Sequence, residues 1–370
     1  AEACEEGWMA EHMTVFGLTS PSGVTRYIAA AFPNGCGKTN LGMLAPTLPG
    51  WKVETIGDDI CWMHIGVDGR LWALNPQAGF FGVAPGTNQK TNRNVLAAIA
   101  HDVLFTNTAL RADGAPWWEG LEPLAEGEVV TDWRGKPWTQ GAGSPAAHPN
   151  ARFTVPAHQC PTVGPSFAAP NGAPISAILF GGRRSKLAPL VFETRDWAHG
   201  VYTGATLVSE TRAAETASGG MPYNDPMAML QFCGVNMGEY FRHWLRMGER
   251  LTHPPRIFHI NWFRTGDDGK LLWPGFGDNV RVLEWIFGRV EGRAAAIETP
   301  LGWMPTPADL NLQGLDISPD RLDELLAVDA LAWLEEAYRN QPFLHQFGPR
   351  WPERLEREHR AFIERLRAAM

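Results

Sequence analysis

AAFPNGCGKTN, residues 30–40, carries an apolar run into a glycine-rich turn that closes on Gly37-Lys38-Thr39. A phosphate-binding loop needs this order. Glycines let backbone N–H groups converge on phosphate oxygens, a lysine neutralises the β/γ charge, and a threonine at the helix start offers its hydroxyl to a divalent cation. The generic pattern has glycine where this chain has Phe32, so an ordinary structural turn also accounts for the segment taken alone. Downstream, Ile56-Gly57-Asp58-Asp59-Ile60 ends a second apolar run on paired carboxylates, which suit a metal beside nucleotide phosphates. The plain alternative is a solvated turn.

Working outward, the chain has 370 residues, 44% of them apolar, enough to bury a full core in one large or two ordinary domains. A formal charge of -8 excludes the basic face that nucleic acid or an anionic membrane surface demands. No apolar run approaches the ~20 residues of a membrane helix, and AEACEEGWMAEHM carries no signal-peptide pattern, so a cytoplasmic protein is expected. Five cysteines, widely spaced and without CxxC pairs, fit neither a disulfide framework nor a structural zinc site. The chain opens without Met, and EEGWMAEHMTVFGL reads as part of a helix, so a preceding segment is expected.

Strand-like runs recur at TRYIAAAF, VETIGDDICWMHI, LWALNP, ISAILFGG, PLVFET and RIFHINWF, interleaved with helical stretches at NVLAAIAHDVL and MAMLQFCGVNMGEYFRHWLRM. The expected class is α/β, more strictly mixed α+β. Residues 111–174, rich in Pro, Gly and Trp, read as long irregular connections, which are often functional. From about residue 315 apolar residues fall at helical spacing among charges, predicting a helical tail over 315–370 packed on a main domain of 1–314.

FPNGCGKTN, IGDDICWM, LNPQAGFFGVAPGTN, HPNARF, FGGRR and FHINWFR followed by LWPGFGDNVRVLEW occur here in order and in register. Together they resemble the signature segments of the GTP-dependent phosphoenolpyruvate carboxykinases, from about Glu5 to Leu312. The ATP-dependent class lacks the WPGFG segment, so the resemblance implies GTP. It also implies a P-loop nucleotide-binding domain with mixed sheets, and an N-terminal substrate lobe that lies outside this sequence.

Carried over residue by residue, the resemblance makes Lys38 and Thr39 the ligands of the β/γ-phosphates and of the nucleotide's Mg2+ or Mn2+. The backbone of Gly35, Cys36, Gly37, Lys38, Thr39 and Asn40 cradles the phosphates. Cys36 matches the loop cysteine; glycines around it and Lys38 beside it predict an accessible, low-pKa thiol, although a small residue fitting the turn would look the same. Asn34 stands where a substrate-touching Ser is usual. A catalytic Mn2+ is expected on His12 and Asp59, with a third ligand, a lysine, upstream of Ala1; from the residues alone His12 is no better a candidate than His64 or His101. Asn150 and Arg152 match substrate and γ-phosphate contacts, with Ala151 in place of a Ser between them. Arg183 matches a phosphate contact, and Arg184 is expected to be structural. Phe263 and Phe276 match the aromatics that sandwich guanine, and Gly277, Asp278 and Asn279 complete the base site, Asn279 reading the purine edge. A third aromatic falls on Leu271, and Ser209–Gly220 falls at a mobile lid.

The implied catalytic set is Cys36, Lys38 and Arg152. The implied reaction converts oxaloacetate and GTP to phosphoenolpyruvate, GDP and CO2 by decarboxylation and phosphoryl transfer. A monomer that binds neither nucleic acid nor membrane is expected. Two other readings stay open: a GTP- and metal-binding module without turnover, and another small-molecule kinase on the same loop.

Overall fold

Three consecutive alanines, Ala29 to Ala31, end the strand that leads into the glycine-rich loop, and all three are buried. A strand hidden on both faces belongs in the middle of a sheet with parallel neighbours, and the computed structural model, which describes residues 2–211 and 220–370, places it there. The main sheet has 11 strands: β1 (Met9–Glu11), β2 (Thr14–Thr19), β3 (Thr25–Ala31), β4 (Lys52–Gly57), β5 (Cys61–Ile65), β6 (Leu71–Leu74), β7 (Ala173–Gly181), β8 (Val191–Glu193), β9 (Arg256–Ile260), β10 (Ile297–Thr299) and β11 (Gly302–Met304). Parallel pairing joins β3 to β7 and β7 to β9. Strand β2 lies antiparallel between β3 and β4. Strands β3, β4, β7 and β9 therefore run the same way and deliver their carboxyl ends to one edge, where open α/β sheets gather their ligand loops. The start of β2 lies at that edge too, with Thr14 opposite Ala30. The flanks, β1-β5-β6 on one side and β8-β11-β10 on the other, are antiparallel, so the sheet is mixed.

Side chains on the central strands alternate between two cores, as the period of two demands. Ala29, Ala31, Ile178 and Phe180 face a cluster with Phe241 and Trp244. Ile28, Ala30, Ala177 and Leu179 face another with Val282, Leu283 and Ile286. The helices covering these faces follow α1 (Lys38–Gly42) in the chain: α2 (Trp197–Ala205), α3 (Met237–Arg250), α4 (Asn279–Val290), α5 (Pro319–Leu326), α6 (Ala330–His345) and α7 (Glu353–Ala368). Leu322 and Leu325 of α5 enter the second core; Leu355, Phe362 and Leu366 of α7 enter the first. No helix among the described residues is long and apolar enough to cross a membrane.

Three expectations are corrected. Residues 5–18 form strands β1 and β2 after a short helix, Glu2–Glu5, because Gly7 at φ 79° breaks the turn and the next residues find sheet partners. The helix expected from Met227 begins only at Met237, where the Asn236 side chain accepts from Gly238 N; Met227 and Ala228, at φ 53° and 55°, break the stretch before it. Segment 111–174 is not wholly irregular. Pro116–Trp117, Val129–Thr131 and Pro137–Thr139 join Ala109–Leu110 in a small sheet, and Arg152–Pro156 lies between Gly79–Val83 and Leu104–Thr106. Strands of two to five residues show too few alternations to be seen as periodic. Most of the expected lid, residues 212–219, lies outside the described residues.

Candidate active site

Four loops leave the carboxyl ends of β3, β4, β7 and β9 and border one cleft of about 280 Å³. After β3, Phe32 drops into the core beside Gly181, and Gly35 and Gly37 turn the chain at φ 75° and 92° into α1. Asn34, Gly35, Cys36, Gly37, Lys38, Thr39 and Asn40 all line the cleft. The side chain of Asn40 accepts from Asn92 Nδ2 at 2.8 Å, tying the loop to the next helical turn of the wall. The expectation for the Cys36 thiol is corrected. Cys36 is 3% exposed, with Sγ 3.7 Å from Ser209 Oγ, so its thiol is buried and not accessible.

Lys38 is 8% exposed and donates to Asp59 Oδ1 at 2.6 Å and to His12 Nε2. His12 Nδ1 lies 3.0 Å from the Ala228 carbonyl; a proton on that nitrogen leaves the Nε2 lone pair facing Lys38. His12 Nε2 and Asp59 Oδ1 are 3.1 Å apart. An ammonium thus occupies the focus of two metal-type donors, one nitrogen and one carboxylate, a set that accepts a divalent ion such as Mn2+. Among the described residues no group of three His, Cys, Asp or Glu side chains could hold a metal. Burial pushes the Lys38 pKa down, opposed by Asp59. Burial alone would raise Asp59, but its contact with His12 and the charge of Lys38 hold its carboxyl well below the usual carboxylate range.

Asp58, the other member of the carboxylate pair, receives no role from the resemblance. It is 2% exposed, and burial pushes its carboxyl up to about 6 despite the pull of Lys38 and Thr39. Neither oxygen closes a hydrogen bond of good geometry, which leaves a buried carboxylate beside the Thr39 hydroxyl able to take a cation or its water. Only its complete burial distinguishes it from Asp59, and the Asp-Asp motif by itself does not reveal that.

Across the cleft, Arg152 donates from Nε to Asn150 Oδ1 at 3.0 Å and stacks its guanidinium over Phe81 at 5.1 Å. Asn150 opens onto an adjoining recess shared with Asn34, Gly35 and Arg152. The Arg183 guanidinium covers the Phe263 ring at 3.9 Å. Phe276, at φ 49° and 39% exposed, is held in a conformation that costs a non-glycine residue of order 1–3 kcal/mol, as sites often require. Asn279 is buried, with its Oδ1 taken by Trp273 Nε1 at 2.9 Å, which turns its amide nitrogen toward other partners. Phe81 to Thr87 form much of the rim; LNPQAGFFGVAPGTN contains them, but no residue in it has ligand chemistry obvious enough to single out. Gly277 and Asp278 are turned away from this cleft. Asp278 accepts from Thr47 Oγ1 and Arg281 Nε, both at 2.8 Å, and the Gly277 carbonyl accepts from Thr47 N. Both brace the turn that presents Phe276.

A family model described as the phosphoenolpyruvate carboxykinase C-terminal P-loop domain matches residues 8–365. The chain belongs to the GTP-dependent phosphoenolpyruvate carboxykinase family. It is 50% identical over 369 residues to phosphoenolpyruvate carboxykinase [GTP] of Anaeromyxobacter sp. (strain K), covering 99% of this chain and 62% of that protein. The protein of the same name from Ascaris suum is 50% identical, covering 98% and 57% respectively; that from Chlamydia pneumoniae is 51% identical over 358 residues, covering 96% and 59%. The chain therefore spans about three fifths of the length of the relatives that it matches.

Proposed function

We propose that this chain carries the nucleotide and metal machinery of a GTP-dependent phosphoenolpyruvate carboxykinase, the enzyme that turns oxaloacetate and GTP into phosphoenolpyruvate, GDP and CO2. One observation carries the reading: a single cleft collects the Lys38 loop, Arg152, Arg183 and the Phe263, Phe276 and Asn279 wall. Divalent cations held by His12 and Asp59, and by Thr39 with Asp58 beside it, would supply Lewis-acid stabilisation of the charge that decarboxylation leaves on the substrate oxygen and of the nucleotide phosphates. Lys38, Arg152 and Arg183 meet the equatorial oxygens of the phosphoryl group in flight, where positioned cations lower the barrier without covalent chemistry. Asn34 and Asn150, beside Arg152, orient the carboxylate substrate. The Cys36 backbone shapes the phosphate loop. Phe263 and Phe276 stack the base, and Asn279 Nδ2 donates to the guanine carbonyl oxygen, a position where adenine carries an amine.

Calorimetric titration of the chain is expected to show GTP binding at least about tenfold tighter than ATP, ~1.4 kcal/mol or more. Equal affinities would remove the base-site assignment. The Lys38 ammonium seated between His12 and Asp59, where the metal would lie, favours a second reading, a module that binds GTP and metal without turnover. GTP binding without phosphoenolpyruvate from oxaloacetate, in a coupled assay with Mn2+, would select it.

A further inference from the structure

Arg184, the residue next to the phosphate-facing Arg183, turns the opposite way, and its guanidinium, 9% exposed, meets Glu336 of α6. Glu336 is 4% exposed, and its other oxygen accepts from Arg339 Nη1 at 2.9 Å. On its other side Arg184 Nε lies 3.7 Å from Glu210 Oε1. Glu210 in turn holds the Arg183 loop from two sides. Its carboxylate accepts from Ser185 N at 3.0 Å, and its backbone N–H donates to the Arg183 carbonyl at 2.8 Å. Ser209 Oγ accepts from Arg183 N at 3.1 Å. An unbroken chain of ionic and hydrogen-bonded contacts therefore runs from the helical tail to the backbone on both sides of Arg183. Two acids and two bases balance along it, so no charge is buried uncompensated.

We propose that Glu336 is a positioning residue for nucleotide phosphate binding, acting through Arg184 and Glu210 to hold Arg183 over the cleft. The proposal rests on the reading of Arg183 as a phosphate contact. With Glu336 neutral, Arg184 is drawn wholly toward Glu210. The carboxylate that Ser185 N and the Arg183 loop depend on is then pulled out of register. The tail thereby contributes to GTP affinity without touching the nucleotide, whereas a packing role alone would leave Arg183 uninvolved.

A double-mutant cycle on GTP affinity tests this, using calorimetry on the whole chain with Arg183→Ala, Glu336→Gln and the pair. Arg183→Ala and Glu336→Gln are each expected to weaken GTP binding, Glu336→Gln by about fivefold, and in the Arg183→Ala background Glu336→Gln should add less than about twofold. Arg184→Lys keeps the buried charge but loses the fork that spans both carboxylates; it should reproduce the Glu336→Gln loss while the melting temperature stays near that of the parent, which covers the case in which Glu336→Gln folds poorly. Losses that multiply in the pair, or full GTP affinity in Arg184→Lys, would overturn the proposal. Arg183→Ala with unaltered GTP affinity would instead sink the phosphate-contact reading itself, and this inference with it.

Discussion

Lys38 keeps an ammonium group at 8% exposure because two acceptors compensate it, the Asp59 carboxylate at 2.6 Å and the His12 lone pair. A buried charge without partners would cost several kcal/mol. A divalent cation arriving at the same focus meets the same donors and repels the ammonium, which would turn Lys38 toward the phosphates. Asp59→Asn removes the carboxylate from that set. It should weaken Mn2+ binding at least about tenfold by electron paramagnetic resonance, since an amide oxygen is neutral and a poorer ligand. His12→Ala should weaken it as well. Binding as tight in both variants as in the parent would place the ion elsewhere. Residue types and spacing nominated Lys38, Thr39 and the Asp58-Asp59 pair, and the resemblance singled out Asp59 and added Arg152. The burial of Cys36 and the capture of Asp278 by Arg281 were not legible, because both depend on which neighbours the fold supplies.

At the scale of elements, β3, β7 and β9 work as one unit because small residues let them lie close to the loops that they launch. Gly181 shows how tightly. A Cβ there would overlap the Phe32 ring and sit 2.6 Å from the Ile260 carbonyl oxygen, so strand β7 would have to part from β9 or Phe32 leave its pocket. Gly181→Ala is therefore expected to lower stability by about 1–3 kcal/mol by denaturant unfolding, the usual range for overpacking a core. A change within ±0.5 kcal/mol would mean that the strands have slack that the packing does not suggest. The long strands were readable from apolar runs ending in Gly, and the tail helices from their 3.6-residue period. The small sheets between residues 79 and 156 were not, because strands of two to five residues draw their order from partners and tight glycine turns instead of from an internal pattern.

The whole molecule closes where the tail packs against the sheet, and His259 of β9 is buried there, stacked on Phe192 at 5.0 Å with its Nδ1 unpartnered. Burial, with a smaller contribution from Arg184, pushes its pKa down to about 3 from 6.5. The folded state therefore binds fewer protons than the unfolded one. Stability from this site is fully present above pH 6.5 and is lost as the pH falls toward 3. By pH 5 the loss reaches about 2 kcal/mol. In His259→Gln the fall in unfolding free energy between pH 7.5 and 5 should be smaller than in the parent by about that amount, measured by urea titration at the two values; an identical fall would show that the ring is protonated without penalty. Local order in the chain determined the glycine-rich loop and the carboxylate pair, because phosphate and metal need particular groups at close spacing, and six motifs in register carried the family resemblance that implied most other residues of the cleft. Only the tertiary structure decided that Lys38 sits between His12 and Asp59, that Asp58 is buried beside Thr39, and that Glu336 of the tail reaches the Arg183 loop. Those contacts join residues far apart in the chain, and sequence spacing carries no information about which distant side chains a fold brings within hydrogen-bonding distance.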